Sequence, residues 1–315
     1  PDIQLEILRT IPGLEEVVMT KVGYAIEYDY FPPHQLRHTL ELKEIGGLYF
    51  AGQVNGTTGY EEAAGQGIVA GINAAVKVRG EKPFLLGRDE AYLGVLIDDL
   101  VTKGVDEPYR LFTSRAEFRL LLRQDNAPRR LGVLARKRGL LTKGQEEALS
   151  ARLKEEDRLL QWFRETNVEP ARVEEVLVDA KSGALHQPTR AIELIKRPGV
   201  GAREMLSAMG ESVEGQLAEE ALIAVEVELK YEGYVRRERE RAQRLRQQAG
   251  FVLPDGLPYL EFLTLSHEAR EKLAGVRPAT LAQAARIPGV SPADLQNLIL
   301  EVRRLSATEG SAPVP

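Results

Sequence analysis

Cysteine is absent from all 315 residues, which excludes disulfides, thiolate metal sites and a cysteine nucleophile within the chain. Histidine is scarce: only four are present, and His34 and His38, at i,i+4 spacing, follow two prolines with no nearby acidic ligand, so we expect no metal site. No run of eighteen apolar residues and no signal-peptide pattern occurs, so we expect a cytoplasmic protein without a membrane span.

Overall positive charge is also lacking, since the formal net charge is −5. A nucleic-acid partner must therefore be recognised by local basic patches. With 43% hydrophobic and 28% charged residues, the composition is that of a globular protein with two or three domains. Pro1 and the residues after it begin inside a structured pattern, so we expect this sequence to be part of a longer protein.

The first 80 residues mix predicted strands with one helix. Residues 24–30 alternate in part and are rich in strand formers, and residues 48–51 form a short apolar run between glycines that predicts a buried strand. Residues 59–78 have the pattern of a helix. Thr58 as N-cap and Glu61 three residues later predict a capping box at its start.

Beyond Pro83 the pattern is almost wholly helical. The predicted elements are a helix at 114–122 opened by a capping box of Ser114 and Glu117, a helix at 149–163, a connector at 210–215, a long charged helix at 217–248, and short helices starting at Thr280 and Ser291. Residues 306–315 are small, polar and proline-containing, which predicts a disordered tail. The expected domains are 1–80, 81–215 and 216–305, followed by that tail.

A glycine-rich segment follows the predicted buried strand and opens the first long helix. Open α/β sheets place ligands at the carboxyl ends of their strands, and glycines allow the backbone to approach a ligand closely. The free N–H groups of a helix N-terminus favour electron-rich or anionic groups. The alternative is that the small residues of this helix, among them Ala63, Gly67 and Gly71, serve tight packing alone.

Two arginine-rich stretches stand out against the acidic composition. Residues 110–138 carry nine cationic side chains and two carboxylates, and Arg115, Arg119 and Arg123 at four-residue spacing predict one basic stripe on a helix. Such a stripe could follow an RNA backbone, or it could be a solvated face that pairs with acids elsewhere. Residues 236–246 interleave arginine with glutamate, which is typical of an exposed, self-paired helix and also permits an RNA contact.

Several ordered segments resemble the MnmG (GidA) family: residues 23–29, 47–67 (GLYFAGQVNGTTGYEEAAGQG), 107–127, 230–234 and 285–293. The resemblance extends from Pro1 to about Arg304. It implies an α+β fragment, namely the C-terminal part of a glutathione-reductase-like FAD-binding α/β domain followed by a mostly α-helical region. Glutathione-reductase-like flavoproteins have a second flavin-binding motif in which an aspartate follows a glycine at the end of a strand. Here Gln53 stands in place of that aspartate, and the same replacement is found in the MnmG (GidA) family.

The same resemblance implies FAD-dependent modification of C5 of the wobble uridine of tRNA. NADH would be the reductant, methylenetetrahydrofolate the one-carbon source, and the GTPase MnmE the partner of a homodimer. The implied FAD-binding residues are Gly52, Gln53, Asn55, Gly56, Thr57, Thr58, Gly59, Tyr60 and Glu61. The residues expected to bind tRNA are Arg110, Arg115, Arg119, Arg123, Arg129, Arg130, Arg236 and Arg237.

No catalytic acid or base can be assigned from the sequence. The family's amino-terminal glycine-rich motif and its cysteines do not occur in these residues, so we expect this chain alone to hold FAD poorly and to be inactive. The competing hypothesis is a non-catalytic helical module that binds tRNA or MnmE. A flavin oxidoreductase acting on small molecules is disfavoured by the basic block and the large helical extension.

Overall fold

The structure is a computed structural model that describes residues 1–24, 27–249 and 251–309. Most of these residues are helical. The helices are α1 Asp2–Arg9, α2 Tyr60–Val78, α3 Tyr92–Lys103, α4 Val133–Lys137, α5 Lys143–Glu165, α6 Pro170–Asp179, α7 Ala191–Ile195, α8 Ala202–Ala208, α9 Gln216–Lys230, α10 Glu232–Ala249, α11 His267–Val276, α12 Leu281–Ala284 and α13 Pro292–Glu309. Two short strands, β1 Asn167–Val168 and β2 Thr189–Arg190, pair antiparallel.

The largest core lies among α5 to α9. Thr142 and Gln145 form a capping box that starts α5, and Pro170 occupies the first turn of α6, where its missing N–H costs nothing. Leu159 and Phe163 of α5 are fully buried against residues of α9 such as Leu229. This core therefore crosses the domain boundary that the sequence suggested between residues 215 and 216.

A second core joins α2 and α3 to the loop at 36–42. Backbone hydrogen bonds from Leu42 N to Leu48 O (2.8 Å) and from Phe50 N to Leu40 O (3.1 Å) hold residues 48–50 beside that loop. Helix α3 approaches the preceding loop so closely that a Cβ on Gly94 would lie 2.2 Å from the Gly87 carbonyl oxygen. Only glycine fits at this contact.

The third core belongs to α11, α12 and α13. Ser266 caps α11 by accepting a hydrogen bond from Ala269 N (3.2 Å), and Asp294 accepts from Ser266 N (2.8 Å) and Ser291 N (3.0 Å). These bonds tie the start of α13 to the start of α11. As predicted, Thr280 forms a capping box with Gln283, and Ser291 lies at the start of the helix that begins with Pro292.

Neither predicted strand in the first 80 residues is observed. Residues 48–51 form an isolated bridge between Glu41 and Tyr49, because the positive φ angles of Gly47 and Gly52 bend the backbone on either side of this segment. Of the predicted strand at 24–30, residues 25 and 26 lie outside the described part of the chain, and residues 27–30 have no regular structure. The described residues of this region therefore lack the α/β structure that the sequence predicted. The sheet that does occur is formed by β1 and β2, at residues 167–168 and 189–190.

Two predictions in the C-terminal half are corrected. The single helix expected at 217–248 is two helices, because Tyr231 (φ −99°, ψ 6°) leaves helical geometry between α9 and α10. The disordered tail expected from residue 306 does not begin there, because α13 continues to Glu309 through residues with no proline or glycine. Residues 310–315 of that expected tail lie outside the described residues.

Within the described ranges, no helix has the length and apolar character needed to cross a membrane.

Candidate functional site

The glycine-rich segment forms a bent loop that leads into α2. Residues Gly52–Asn55 make one 3-10 turn, and Gly52 (φ +86°) and Gly56 (φ +79°) adopt backbone conformations that favour glycine. Helix α2 begins as predicted to within one residue, but its N-cap is Gly59 and no side chain caps it. The capping box expected from Thr58 and Glu61 is therefore wrong, and the first N–H groups of α2 have no intrahelical partner.

A fully buried glutamine holds this loop in place. Gln66 Oε1 accepts hydrogen bonds from Gly52 N (3.1 Å) and Asn55 Nδ2 (2.7 Å), while its Nε2 donates to Thr57 Oγ1 (3.0 Å). Asn55 and Gln66 are both 0% exposed. Sequence reasoning assigned Asn55 and Thr57 to the cofactor, but their side chains lie inside the loop, and it did not single out Gln66.

The loop is joined to the segment before the basic block. Tyr109 N donates to Gly56 O (2.8 Å), and buried Glu62 accepts from Leu111 N (2.9 Å) and Arg110 Nε (3.2 Å). Burial alone would raise the pKa of Glu62, but the hydrogen bond from Leu111 and the Arg110 guanidinium lower it below its usual value. Glu62 is therefore a structural carboxylate of the α2 N-terminus.

A cleft of about 280 Å³ opens beside this loop. Its walls are formed by the loop, by two tyrosines and by the segment 105–108; the residues are Tyr28, Tyr30, Gln53, Gly56, Thr57, Thr58, Val105, Asp106, Glu107 and Pro108. Among the residues that the sequence assigned to FAD, Gln53, Thr58, Tyr60 and Glu61 are exposed, whereas Gly52, Asn55, Thr57 and Gly59 are buried. Of the residues predicted to bind FAD, four therefore line the cleft: Gln53, Gly56, Thr57 and Thr58.

Two features of the loop bear on its capacity for a polar ligand. Asn55 Oδ1 is buried and has no hydrogen-bond partner, and such an atom normally has one. The uncapped N-terminus of α2 adds unpaired N–H donors beside it. The free N–H groups at the start of α2 and the exposed side chains of Gln53 and Thr58 are hydrogen-bonding groups of the kind that the flavin implied by the family resemblance would need. Along α2, an added Cβ on Gly67 or Gly71 would meet nothing within 4 Å, so this face of the helix is open.

The basic stripe predicted at residues 114–122 does not exist as a helix face. Thr113–Arg115 form one 3-10 turn, and the chain continues in turns rather than in an α-helix. The apolar residues of this segment are divided between two different cores. Phe118 and Leu121 pack against Val235 of α10, whereas Leu122 packs against Val95 of α3, which one helix face cannot do.

Three of the predicted tRNA-binding arginines take part in internal contacts. Arg123 bridges Asp125 (3.1 Å) and Glu228 (3.0 Å), and Arg129 bridges Glu156 (2.6 Å) and Asp157 (2.7 Å). Half-buried Arg130 donates to the carbonyl oxygens of Glu90 and Arg123. These side chains stabilise the junction between α5, α9 and the preceding turns.

The other three predicted tRNA-binding arginines of the block, Arg110, Arg115 and Arg119, are exposed. Arg110 pairs with Glu62, and Arg115 lies over the Tyr109 ring, 4.3 Å from its centroid. Arg119 is exposed and has no ion-pair partner among the described residues. Because Tyr109 and Leu111 are bonded to the loop and to the start of α2, Arg110 and Arg115 lie next to the glycine-rich loop.

Helix α10 presents the second basic patch. Arg236 and Arg237 are exposed, and Arg237 lies over the Tyr234 ring, 4.7 Å from its centroid. Arg239 instead pairs with Glu228 (2.9 Å). The helix is therefore only partly self-paired.

A buried ionic cluster around α3 was missed. Asp98 accepts hydrogen bonds from Arg286 (2.6 Å) and Arg88 (2.9 Å) and contacts His38 (3.2 Å), while Asp99 accepts from Arg88 (2.7 Å) and the Tyr109 hydroxyl (2.9 Å). Burial raises the pKa of Asp98, but the His38 hydrogen bond and the surrounding cations outweigh it and lower the value to about 2. Two adjacent aspartates inside the apolar sequence of α3 were the available signal.

No group of three or more histidine and carboxylate residues in the described part of the chain is arranged to hold a metal ion.

Comparison with known proteins places the whole chain. Three sequence models of protein families match: "Glucose inhibited division protein A" over residues 1–82, the "tRNA modifying enzyme MnmG/GidA C-terminal helical domain" over 144–239, and its "C-terminal helical bundle" over 241–313. The tRNA uridine 5-carboxymethylaminomethyl modification enzyme MnmG of Flavobacterium psychrophilum is 46% identical over 308 residues, which is 96% of this chain and 49% of that protein. The enzyme of the same name from Salinibacter ruber is 47% identical over 324 residues, covering 100% of this chain and 47% of that protein.

The structure of Aquifex aeolicus GidA (form II crystal) matches with a TM-score of 0.74 and 42% identity, over 96% of this chain and 47% of that chain. The chain thus spans about half the length of the relatives it matches. Sequence identity of 42–47% and a similar fold extend over 96–100% of the chain, and the chain therefore belongs to the MnmG/GidA family.

Proposed function

We propose that the protein carrying this chain is a tRNA-modifying enzyme that acts on C5 of the wobble uridine. The observation that supports this most is the identity of 46–47% to enzymes named for that reaction across nearly the whole chain. The product is a carboxymethylaminomethyl or aminomethyl group on the base. NADH as reductant, a homodimer, the GTPase MnmE as partner and a cytoplasmic location belong to the same proposal.

The glycine-rich loop is proposed to form part of the FAD site. When bound, the flavin supplies the redox chemistry of the reaction, and the protein supplies orientation and hydrogen bonds. Gln53 and Thr58 would contact the cofactor from the exposed side of the loop, and the N–H groups of Tyr60 and Glu61 would stabilise negative charge at its edge. Gln66 acts behind them by fixing the loop through Gly52, Asn55 and Thr57.

The test of this site is FAD binding by the full-length protein. Gln53→Leu should weaken binding at least tenfold, while Gln161→Leu, the same substitution at an exposed position of α5, should leave it unchanged. Both affinities can be measured from the quenching of flavin fluorescence. A full-length protein that is colourless and does not take up FAD would refute the enzyme assignment. We also expect the isolated chain to bind FAD more weakly than the full-length protein.

The tRNA backbone is proposed to contact Arg110 and Arg115 next to this loop, the exposed Arg119, and also Arg236 and Arg237 on α10. Arg119→Gln in the full-length protein should lower the slope of log K against log salt by about 0.7–0.9 for a lost phosphate contact. Lys143→Gln is the matched control, because Lys143 is an exposed cation on α5 that lies outside both basic patches. An unchanged slope for Arg119→Gln would remove that residue from the RNA contact. Arg123, Arg129 and Arg130 make internal contacts, so we expect their substitution mainly to lower the stability of the protein.

A docking role is the second candidate, favoured by two exposed leucines in the C-terminal region, Leu263 in the turn before α11 and Leu300 on α13. Leu263 is 82% exposed and Leu300 is 63% exposed. If MnmE binds there, Leu263→Asp should abolish its capture by the full-length protein and leave tRNA affinity intact. If capture persists, MnmE binds elsewhere.

A further inference from the structure

The break between α9 and α10 exposes two tyrosines beside arginines. Tyr231 is 46% exposed, Tyr234 is 59% exposed, and their ring centroids are 6.4 Å apart. Arg237 and Arg241 follow Tyr234 at three- and seven-residue spacing, which places all three on one face of α10. We call Tyr231, Tyr234, Arg237 and Arg241 the tyrosine–arginine face.

Among the residues that the structure describes, no carboxylate forms an ion pair with the cations of this face. Within the described ranges, neither Arg237 nor Arg241 has a carboxylate within salt-bridge distance, and the one recorded contact of the Arg237 guanidinium is with the Tyr234 ring at 4.7 Å. Glu232, at the start of the same helix, is already held by Arg164 (3.5 Å) and Lys196 (3.1 Å). The region around the two rings therefore carries excess positive charge although the chain as a whole is acidic.

The tyrosines are not required for the fold. Neither belongs to a hydrophobic core, whereas the next residue, Val235, is 1% exposed and packs with Phe118 and Leu121. A single exposed ring lowers the stability of the fold only slightly and needs no functional explanation. Two neighbouring rings with a guanidinium on one of them, however, form a stacking platform. Unpaired nucleotides are recognised by stacking on aromatic rings and arginine planes, with cations on the phosphates.

We propose that the tyrosine–arginine face binds unpaired nucleotides of the tRNA substrate by base stacking. The inference rests on the proposed function, since it assumes that tRNA is the substrate. A paired helix cannot satisfy this face, because its bases are already stacked on each other and its backbone would engage the arginines alone. The tyrosine–arginine face is therefore specific for a single-stranded loop of the RNA. It adds a second binding subsite, far along the protein chain from the glycine-rich segment.

Binding of an unmodified tRNA transcript to the full-length protein tests this proposal. Tyr231→Leu/Tyr234→Leu should raise the Kd roughly 5- to 150-fold, the range for loss of one stacked base at about 1–3 kcal/mol. The salt slope should not change, because no phosphate contact is lost. Tyr231→Phe/Tyr234→Phe keeps both rings and should retain wild-type affinity. Thermal unfolding should be the same for all three proteins.

The arginines give a complementary result. Arg237→Gln/Arg241→Gln should lower the salt slope by about 0.7 per lost contact with single-stranded RNA, while Arg239→Gln, whose guanidinium already pairs with Glu228, should not. Two RNA probes test the requirement for unpaired bases. An anticodon-arm hairpin should compete with tRNA for binding to the face. A fully paired duplex of equal length should bind wild type and the leucine variant with the same affinity.

Three outcomes overturn the proposal. If wild type binds tRNA and the leucine variant binds equally well, the face has no role in RNA binding and the proposed function stands. If the leucine variant loses MnmE capture but not tRNA affinity, the face docks a protein. If wild type does not bind tRNA at all, the proposed function fails together with this inference.

Discussion

Replacing Gln66 with leucine should open the glycine-rich loop without unfolding the protein. Gln66 is 0% exposed, and its amide group makes hydrogen bonds to Gly52, Asn55 and Thr57 and to the carbonyl of Glu62. Leucine has a similar size but removes all four bonds, and it leaves the buried Gly52 N–H without an acceptor.

The magnitude follows from these contacts. An orphaned buried N–H costs about 1–3 kcal/mol, and each remaining lost bond costs about 0.5–1.5 kcal/mol, since Asn55 keeps its second acceptor, the Phe50 carbonyl oxygen. The apolar gain of the leucine side chain offsets part of this loss, so the loop should be destabilised by roughly 2–4 kcal/mol. That free energy corresponds to a change of about 30- to 1,000-fold in the equilibrium for local opening.

Native-state amide hydrogen exchange measures this opening directly. The Tyr109 N–H, which donates to Gly56 O at 2.8 Å, should lose protection by that factor, while amides in the core of α5 should not. In the full-length protein, FAD affinity should fall as well. Gln53→Leu is the control, because Gln53 is an exposed residue of the same loop and its replacement should leave exchange unchanged. A loss of protection below threefold in Gln66→Leu would refute the view that this side chain holds the loop.

Two further perturbations test the packing around α3. Burial raises the pKa of Asp98, but the His38 hydrogen bond and the neighbouring cations lower it more, so the folded-state pKa is about 2. The contribution of Asp98 to stability is therefore complete above about pH 5 and is lost as the pH falls from about 4 to 2. Asp98→Asn should cost about 3–5 kcal/mol at pH 7 and remove that pH dependence from urea unfolding; an unchanged acid profile would contradict this. Gly94→Ala should cost about 1–3 kcal/mol because its Cβ meets the Gly87 carbonyl, whereas Gly71→Ala, with open space, should stabilise the isolated chain by about 0.5–1 kcal/mol. Equal unfolding free energies for these two variants would show that the close contact is not rigid.

Local signals predicted the elements that are determined locally. The start of α2 was expected at residue 59 and occurs at Tyr60, and α5 contains the whole of the predicted 149–163 segment. Both helices are long and have apolar residues at helical spacing. The caps at Thr280 and Ser291 were identified correctly because the donor and acceptor lie three residues apart in the sequence.

The site was predicted in position but not in detail. The glycine-rich sequence predicts positive φ at residues 52, 56 and 59; this is correct for Gly52 and Gly56 and wrong for Gly59, whose φ is −90°. It could not separate inward from outward side chains in a bent loop, since no periodicity applies there. Asn55 and Thr57 were therefore grouped with exposed Gln53, although a buried partner eleven residues from Asn55, Gln66, determines their orientation.

The arginine block shows why a count of charges along the sequence overestimates an RNA surface. Besides Asp125, a sequence neighbour of Arg123, the acids that neutralise Arg123 and Arg129 include Glu228 and Glu156, which lie 105 and 27 residues away. Both acids belong to helices whose charged residues look solvated when each helix is considered alone. Pairing of this kind is created by the packing of α5 against α9, so it becomes visible only when the core at Leu159 is assembled. What remains free for a phosphate is decided by this packing and not by the density of arginine, and this is why Arg119, with no partner in the described ranges, is the residue whose salt dependence is most informative.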